Sequence, residues 1–276
     1  MRYFICLSYN GSAFSGWQIQ ENANSVQAEL QKALSALLKE PIQVVGAGRT
    51  DTGVNARNYI AHFNFGGTMP SQEHTVYKLN AILPKEISVH SVYPVPEEIH
   101  ARFSAKSRTY KYYIHTEKDP FCSEFSYFVP SRKVNIEKMN QACQYFLGEQ
   151  DFSSLEKVNG GNKTSICNVT HASWEPIYPN TAGATATLPS ASTAATTLTS
   201  AGTKDGNATH YVFTVTANRF LRNMVRAMVG SLLEVGSGKR EPEWIKEMLA
   251  QKNRCAAGHS VPGNALFLVN VEYPKW

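Results

Sequence analysis

The sequence predicts an α+β protein whose helices cover one face of a β-sheet, and three observations lead there. Short alternating apolar segments suited to strands are interleaved with segments of helical period. The order strand, helix, strand, strand, helix, strand fills about the first hundred residues. The second half then repeats that order loosely, with no residue-level repeat between the two.

Taken in order, Arg2 to Tyr9 alternates large apolar residues and ends at the turn signal Asn10-Gly11. Asn24 and Gln27 have capping-box spacing and open a helix closed by Pro41. Its Val26, Leu30, Ala33, Leu34, Leu37 and Leu38 form one apolar stripe. Ile42 to Val45 and Tyr59 to Phe65 read as strands on either side of "GAGRTDTGVNAR". "TVYKLNAIL" is a second helix stopped by Pro84, and "EISVHSVYPV" the strand after it. Farther on, "SRTYKYYIHT" alternates as a strand, and Asn135 to Gly148 is a helix with Met139, Ala142, Cys143 and Phe146 on one face. "TSICNVTHASWEPI" and "HYVFTVTA" read as strands. "RFLRNMVRAMVGSLLEVGSG" is a strongly apolar helix with a glycine stop, "EPEWIKEMLAQ" a short helix, and "NALFLVNVEY" a last strand. The expected division is an N-terminal α+β domain over residues 1–104 and a C-terminal one over 105–276. Within the latter, a segment at about 180–207 has almost no large apolar residues and no period, so it reads as a long inserted loop.

A chain of 276 residues with 42% hydrophobic and 18% charged residues is ordinary for a soluble globular protein. The net charge of +5 suits a polyanionic partner without demanding one. Clustering says more: "RFLRNMVR" gathers Arg219, Arg222 and Arg226, and "ARFSAKSRTYK" holds Arg102, Lys106, Arg108 and Lys111. Five dispersed cysteines without a C-x-x-C pair point to reduced thiols in a cytoplasmic protein, with no structural metal expected. The apolar run of "MRYFICLSY" is too short for a signal peptide, and no run has the length of a transmembrane helix.

Asp51, between Thr50 and Thr52 and bounded by glycines, has two readings. An aspartate there is commonly an Asx-turn or a helix cap. It is also a candidate nucleophile held open for a substrate, provided a cation stands beside it in a dry pocket to keep it ionised. Arg226, among apolar helix neighbours, is one candidate partner, although it could equally line a solvated edge with Arg222. Tyr110 and Tyr112 share one strand face with Tyr113 opposite, so Tyr110 is either core or a stacking surface.

The blocks "YNGSAFSGWQIQ", "GRTDTGVNA", "LNAILP", "HARFSAKSRTYKYYI", "GEQDFSSL" and "FLRNMVRAMVG" occur in an order and spacing that resemble the TruA-type tRNA pseudouridine synthases. The likeness spans residues 3 to 273 apart from the insertion. It implies an isomerase that breaks the N1–C1′ bond of uridine, rotates the base and rejoins it through C5, with no cofactor and no metal. It further implies two ferredoxin-like halves whose antiparallel sheets join around a central basic cleft, and a homodimer that binds tRNA and modifies uridines thirty-eight to forty in the anticodon arm.

On the residues that match, the resemblance makes Asp51 the nucleophile, Tyr110 the aromatic stacked on the base and Arg226 the counter-charge. Arg49 would extrude the uridine or hold its phosphate, or else anchor the loop. Leu266 would pack on the base, although "Ala-Leu" stands here for the family's "Gly-Leu". Lys106, Arg108, Lys111, Arg219 and Arg222 are candidate phosphate contacts, or else solvated surface cations. Asn55 replaces the family's histidine and is expected to contact RNA or the loop backbone. Two rival expectations are an RNA-binding protein of this fold without catalysis, and a synthase acting on other RNA positions.

Overall fold

The computed structural model describes residues 1–157, 164–178, 203–204 and 207–276. Most of the inserted loop expected at about 180–207 lies outside the described residues.

The chain opens with strand β1 (Arg2–Tyr9), helix α1 (Val26–Leu38), and strands β2 (Val44–Gly46) and β3 (Asn55–Asn64). Helix α2 (Gln72–Ile82), strands β4 (Ile87–Val95), β5 (Ser107–His115) and β6 (Tyr127–Phe128), and helix α3 (Ile136–Cys143) follow. Then come β7 (Gly148–Asp151), β8 (Ile166–Ile177), a small ladder of β9 (Thr203–Lys204) with β10 (Asn207–Ala208), and β11 (His210–Ala217). Helices α4 (Met224–Gly236) and α5 (Trp244–Ala250) precede β12 (Leu266–Glu272).

One large, mostly antiparallel sheet runs in the order β4-β1-β3-β12-β5-β11-β8-β7, with β2 on β3 and β6 on β5. The strand nearest the C-terminus therefore lies in the middle. It pairs antiparallel with β5 from Leu266↔Tyr112 to Glu272↔Ser107, and parallel with β3 only at Phe267↔Asn55 and Leu268↔Ala56.

Two buried clusters occupy the helical side. Phe4, Leu7, Leu30, Leu34, Tyr59, Phe63 and Leu79 belong to one, and Tyr112, Phe146, Phe152, Phe213, Met228 and Leu232 to the other. A fully buried side chain of this size contributes about 1.5–3 kcal/mol relative to exposure. Tyr110 packs against both clusters. Alternation sends Tyr113 and Phe267 to the other sheet face, where their rings meet edge to face at 5.4 Å.

Element boundaries differ from expectation for local reasons. Ser25 caps α1 instead of Asn24, because its side chain accepts the Ala28 amide at 3.2 Å. Gln27 instead donates to the Val44 carbonyl at 2.7 Å, tying α1 to β2. Leu37 and Leu38, expected in the stripe, are only partly buried. The helix around Met139 ends at Cys143 and tightens into a 3-10 turn, and the four residues expected on its inner face are all buried. Helix α4 starts at Met224, because Asn223 takes a left-handed conformation (φ 68°) that asparagine tolerates. Arg219 and Arg222 thus precede the helix. Among the described residues no helix is long and apolar enough to cross a membrane.

Candidate active site

Asp51 sits in the loop between β2 and β3, and that loop is held from several directions. Tyr9 of β1 reaches Thr50 Oγ1 with its hydroxyl at 2.9 Å. The hydroxyl of Tyr59 on β3 donates to the Gly48 carbonyl. The backbone amide of Trp17 donates to the Thr50 carbonyl at 3.3 Å, and the indole stacks on Tyr59 with centroids 4.1 Å apart. Gly16 adopts φ +88°, and a Cβ there would run into the Thr50 carbonyl and Asp51, so only glycine lets these two loops approach. The Val54 amide closes the turn on the Asp51 carbonyl at 3.1 Å. Backbone and buried phenols thus fix the loop that carries the carboxylate.

That carboxylate meets two guanidinium groups. Arg226 Nη1 lies 3.4 Å from Oδ2, and Arg222 Nε lies 3.4 Å from Oδ1. Arg226 comes from the first turn of α4 and is further oriented by donating Nε–H to the Val261 carbonyl at 2.6 Å. Its side chain is 23% exposed and that of Asp51 22%, whereas Arg222 is 49% exposed. Both contacts are longer than tight charge-assisted hydrogen bonds, so the charges balance without locking the carboxylate. Sequence reasoning did not expect Arg222 on this carboxylate.

Tyr110 lies close enough for the Asp51 charge to act on its phenol, and its ring meets Phe220 edge to face at 5.1 Å. Burial first, partly offset by Arg108 and reinforced by Asp51, pushes the Tyr110 phenol up to about 12. The group is therefore a neutral hydroxyl at physiological pH.

The other expected residues divide. Arg49 is exposed and, among the described residues, makes no hydrogen bond or ion pair, so the loop does not use it as an anchor. Lys106 is exposed and Lys111 half-buried on β5, while Arg219 is half-buried just before α4, with Cys167 nearby. Two of these residues are engaged within the protein. Asn55 is 1% exposed and braces two loops, accepting from the Gly11 amide at 2.8 Å and donating to the Asn264 carbonyl at 2.6 Å. These are the loop-backbone contacts that were one of its two expected roles. Arg108 is likewise engaged inward: it donates to the carbonyls of Ala105 (3.1 Å), Asn218 (2.7 Å), Ala47 (3.1 Å) and Arg102 (2.6 Å). Those bonds join the approach to the Asp51 loop with the end of β11, and burial pulls the guanidinium below its ordinary value. Leu266 is 5% exposed and packs in the core cluster that holds Val54.

Sequence reasoning did not find Tyr9, Tyr59, Trp17 or Gly16 as supports of the loop. Strand alternation could place the phenols inside but could not name their partners.

Comparison with known proteins fits this arrangement. A family model described as "tRNA pseudouridine synthase" matches residues 5–104 and 142–274. A protein named tRNA pseudouridine synthase A from Parabacteroides distasonis is 44% identical over 274 residues, covering 99% of this chain and 96% of its own. One of the same name from Bacteroides thetaiotaomicron is 44% identical, covering 99% and 91%. A Francisella tularensis protein, also of that name, is 36% identical over 276 residues, covering 99% and 95%.

Proposed function

The chain belongs to the tRNA pseudouridine synthase family, and from that premise we propose that it isomerises uridines thirty-eight to forty in the anticodon arm of tRNA, with Asp51 as the nucleophile. The observation that carries this reading is the Asp51 carboxylate between two guanidinium groups, with a neutral phenol beside it. A carboxylate positioned by backbone contacts and charge-balanced by Arg226 can form a covalent bond to the substrate without metal or redox chemistry. The flipped base lies on Tyr110, whose hydroxyl is placed for proton transfer at C5. Arg49, exposed on the same loop, occupies the space the extruded uridine leaves or binds its phosphate.

Each half of the sheet supports a ferredoxin-like reading of the two domains, 1–104 and 105–276. The orders β4-β1-β3-β2 and β12-β5-β11-β8 are the same arrangement of successive strands. The cleft along the junction is basic through Arg49, Arg222, Arg226, Lys106 and Lys111. The enzyme works in the cytoplasm as a homodimer that binds tRNA across both subunits, and recognises it mainly by shape and phosphate contacts.

Incubation with unmodified tRNA, followed by mapping of pseudouridine, tests the proposal, with Asp51→Ala as control. Conversion at the anticodon arm by wild type alone supports it. Conversion elsewhere would shift the site specificity, and two proteins that both bind tRNA and convert nothing would leave a binding function.

A further inference from the structure

A second cluster of chemically active side chains stands at the other end of β5 from Tyr110. Asp119 and Cys122 lie in the loop that follows this strand, and His210 opens β11 opposite His115. A carboxylate oxygen of Asp119, the Cys122 Sγ and a ring nitrogen of His210 all fall within 4.8 Å of one another. Cys122 is 2% exposed and His210 5%, so two of the three donors are sealed from solvent.

His210 points to a ligand. Its Nδ1 lies 3.0 Å from Thr209 Oγ1, while its Nε2 is buried and, among the described residues, has no hydrogen-bond partner. With Thr209 Oγ1 accepting from Nδ1–H, Nε2 holds the lone pair, which is the state a metal ligand requires, and the ring is oriented by an outer partner. The loop is also shaped locally. Asp119 Oδ1 accepts the Phe121 amide at 2.8 Å, and Cys122 Sγ lies 3.8 Å from the Asp119 carbonyl, so the Asp-Pro-Phe-Cys turn closes on itself.

We propose that Asp119, Cys122 and His210 bind a zinc ion that pins the loop after β5 to the start of β11. Mixed oxygen, sulfur and nitrogen donors suit zinc, and three protein ligands leave a fourth tetrahedral position for water. On binding, the Cys122 thiol releases its proton to solvent and gives a sulfur electron pair to the ion. Asp119 gives an oxygen pair and His210 a nitrogen pair, with no change of oxidation state. The role proposed for the ion is to hold these two segments together. His115 stands five residues along β5 from Tyr110, about 17 Å at strand rise, too far to touch the Asp51 chemistry.

Full-length protein without an affinity tag, stripped by a chelator, tests the site. Zn2+ is titrated against a chromophoric competitor, and Co2+ is followed by thiolate charge-transfer absorption. The expected result is one Zn2+ per chain, a Co2+–thiolate band and a higher Tm with Zn2+. Cys122→Ser should remove the band. His210→Gln and Asp119→Asn should each weaken Zn2+ binding by more than the roughly 10–100-fold that loss of an outer partner costs. Cys255→Ser, at an exposed thiol, should change nothing. Circular dichroism of the stripped variants checks folding, and the wild-type Co2+ spectrum needs no variant at all. A wild type without a thiolate band, or zinc uptake unchanged in Cys122→Ser and His210→Gln, would overturn the proposal.

Discussion

At the residue scale, the site is a carboxylate whose two oxygens face different cations. Asp51→Asn keeps the volume and removes the charge, so pseudouridine formation should fall to background while tRNA binding persists, as primer-extension mapping and filter binding would show. The two arginines are not equivalent. Arg226 is braced by the Val261 carbonyl and mostly covered, whereas Arg222 is half in solvent. Arg226→Lys should therefore lower turnover far more than Arg222→Lys, because a lysine cannot hold the carbonyl and the carboxylate together. A carbonyl-to-carboxylate bridge of this kind has no signature in sequence, where Arg226 could as well have lined a solvated edge.

Tyr110 yields a pH argument as well as a kinetic one. Tyr110→Phe should cost roughly 10²–10⁴ in single-turnover rate with stacking retained, the range of a lost proton-transfer group. Its folded-state value of about 12 exceeds the ordinary 10.0 because burial disfavours the phenolate. Stability linked to this group is complete below pH 10 and is lost as pH rises toward about 12, since the unfolded chain sheds the proton first. Urea titrations across that range should show a shallower decline in Tyr110→Phe than in wild type. If the two declines were identical, the phenol would not be buried as described.

Among the elements, one loop carries Asp51, while strand β5 carries Tyr110 and helix α4 carries Arg226. Arg108 gathers four carbonyls from the segments at Ala47, Arg102, Ala105 and Asn218, and thereby links the Asp51 loop to the turn that carries Arg222. Arg108→Ala should destabilise the protein by roughly 2–4 kcal/mol by chemical denaturation, because acceptors are left without their charged donor. Asn55→Ala removes two buried hydrogen bonds and should cost about 1–3 kcal/mol by the same measurement. Strands with alternating apolar residues and helices with an apolar stripe were legible because periodicity is a local property. The short edge strands β6 and β7 were not, since Gly148–Asp151 is polar and only its pairing with β8 makes it a strand. The start of α4 was misjudged because "RFLR" is helix-forming by composition, and the left-handed Asn223 interrupts it. The proposed zinc ligands show the same limit. Cysteine spacing argued against a metal, whereas the donors come from an Asp-x-x-Cys turn and a distant His210.

For the whole molecule, charge and connectivity matter most. With a net charge of +5 and cations clustered in the sequence at Arg102–Lys111 and Arg219–Arg226, tRNA affinity should fall steeply as salt rises, with a log–log slope of several units. Filter binding across a salt series would measure it, and a flat response would remove the basic cleft from the account. The order of assembly follows from the place of β12. During synthesis the strands β1 to β4 and β5 to β11 emerge from the ribosome before the strand that lies between them. Until then β3 and β5 present open edges that can pair with other nascent chains. A ribosome stalled before Leu266 would hold Asp51 and its arginines on two unjoined sheets, so β12, made after both, is the strand that brings the carboxylate and its cations into register.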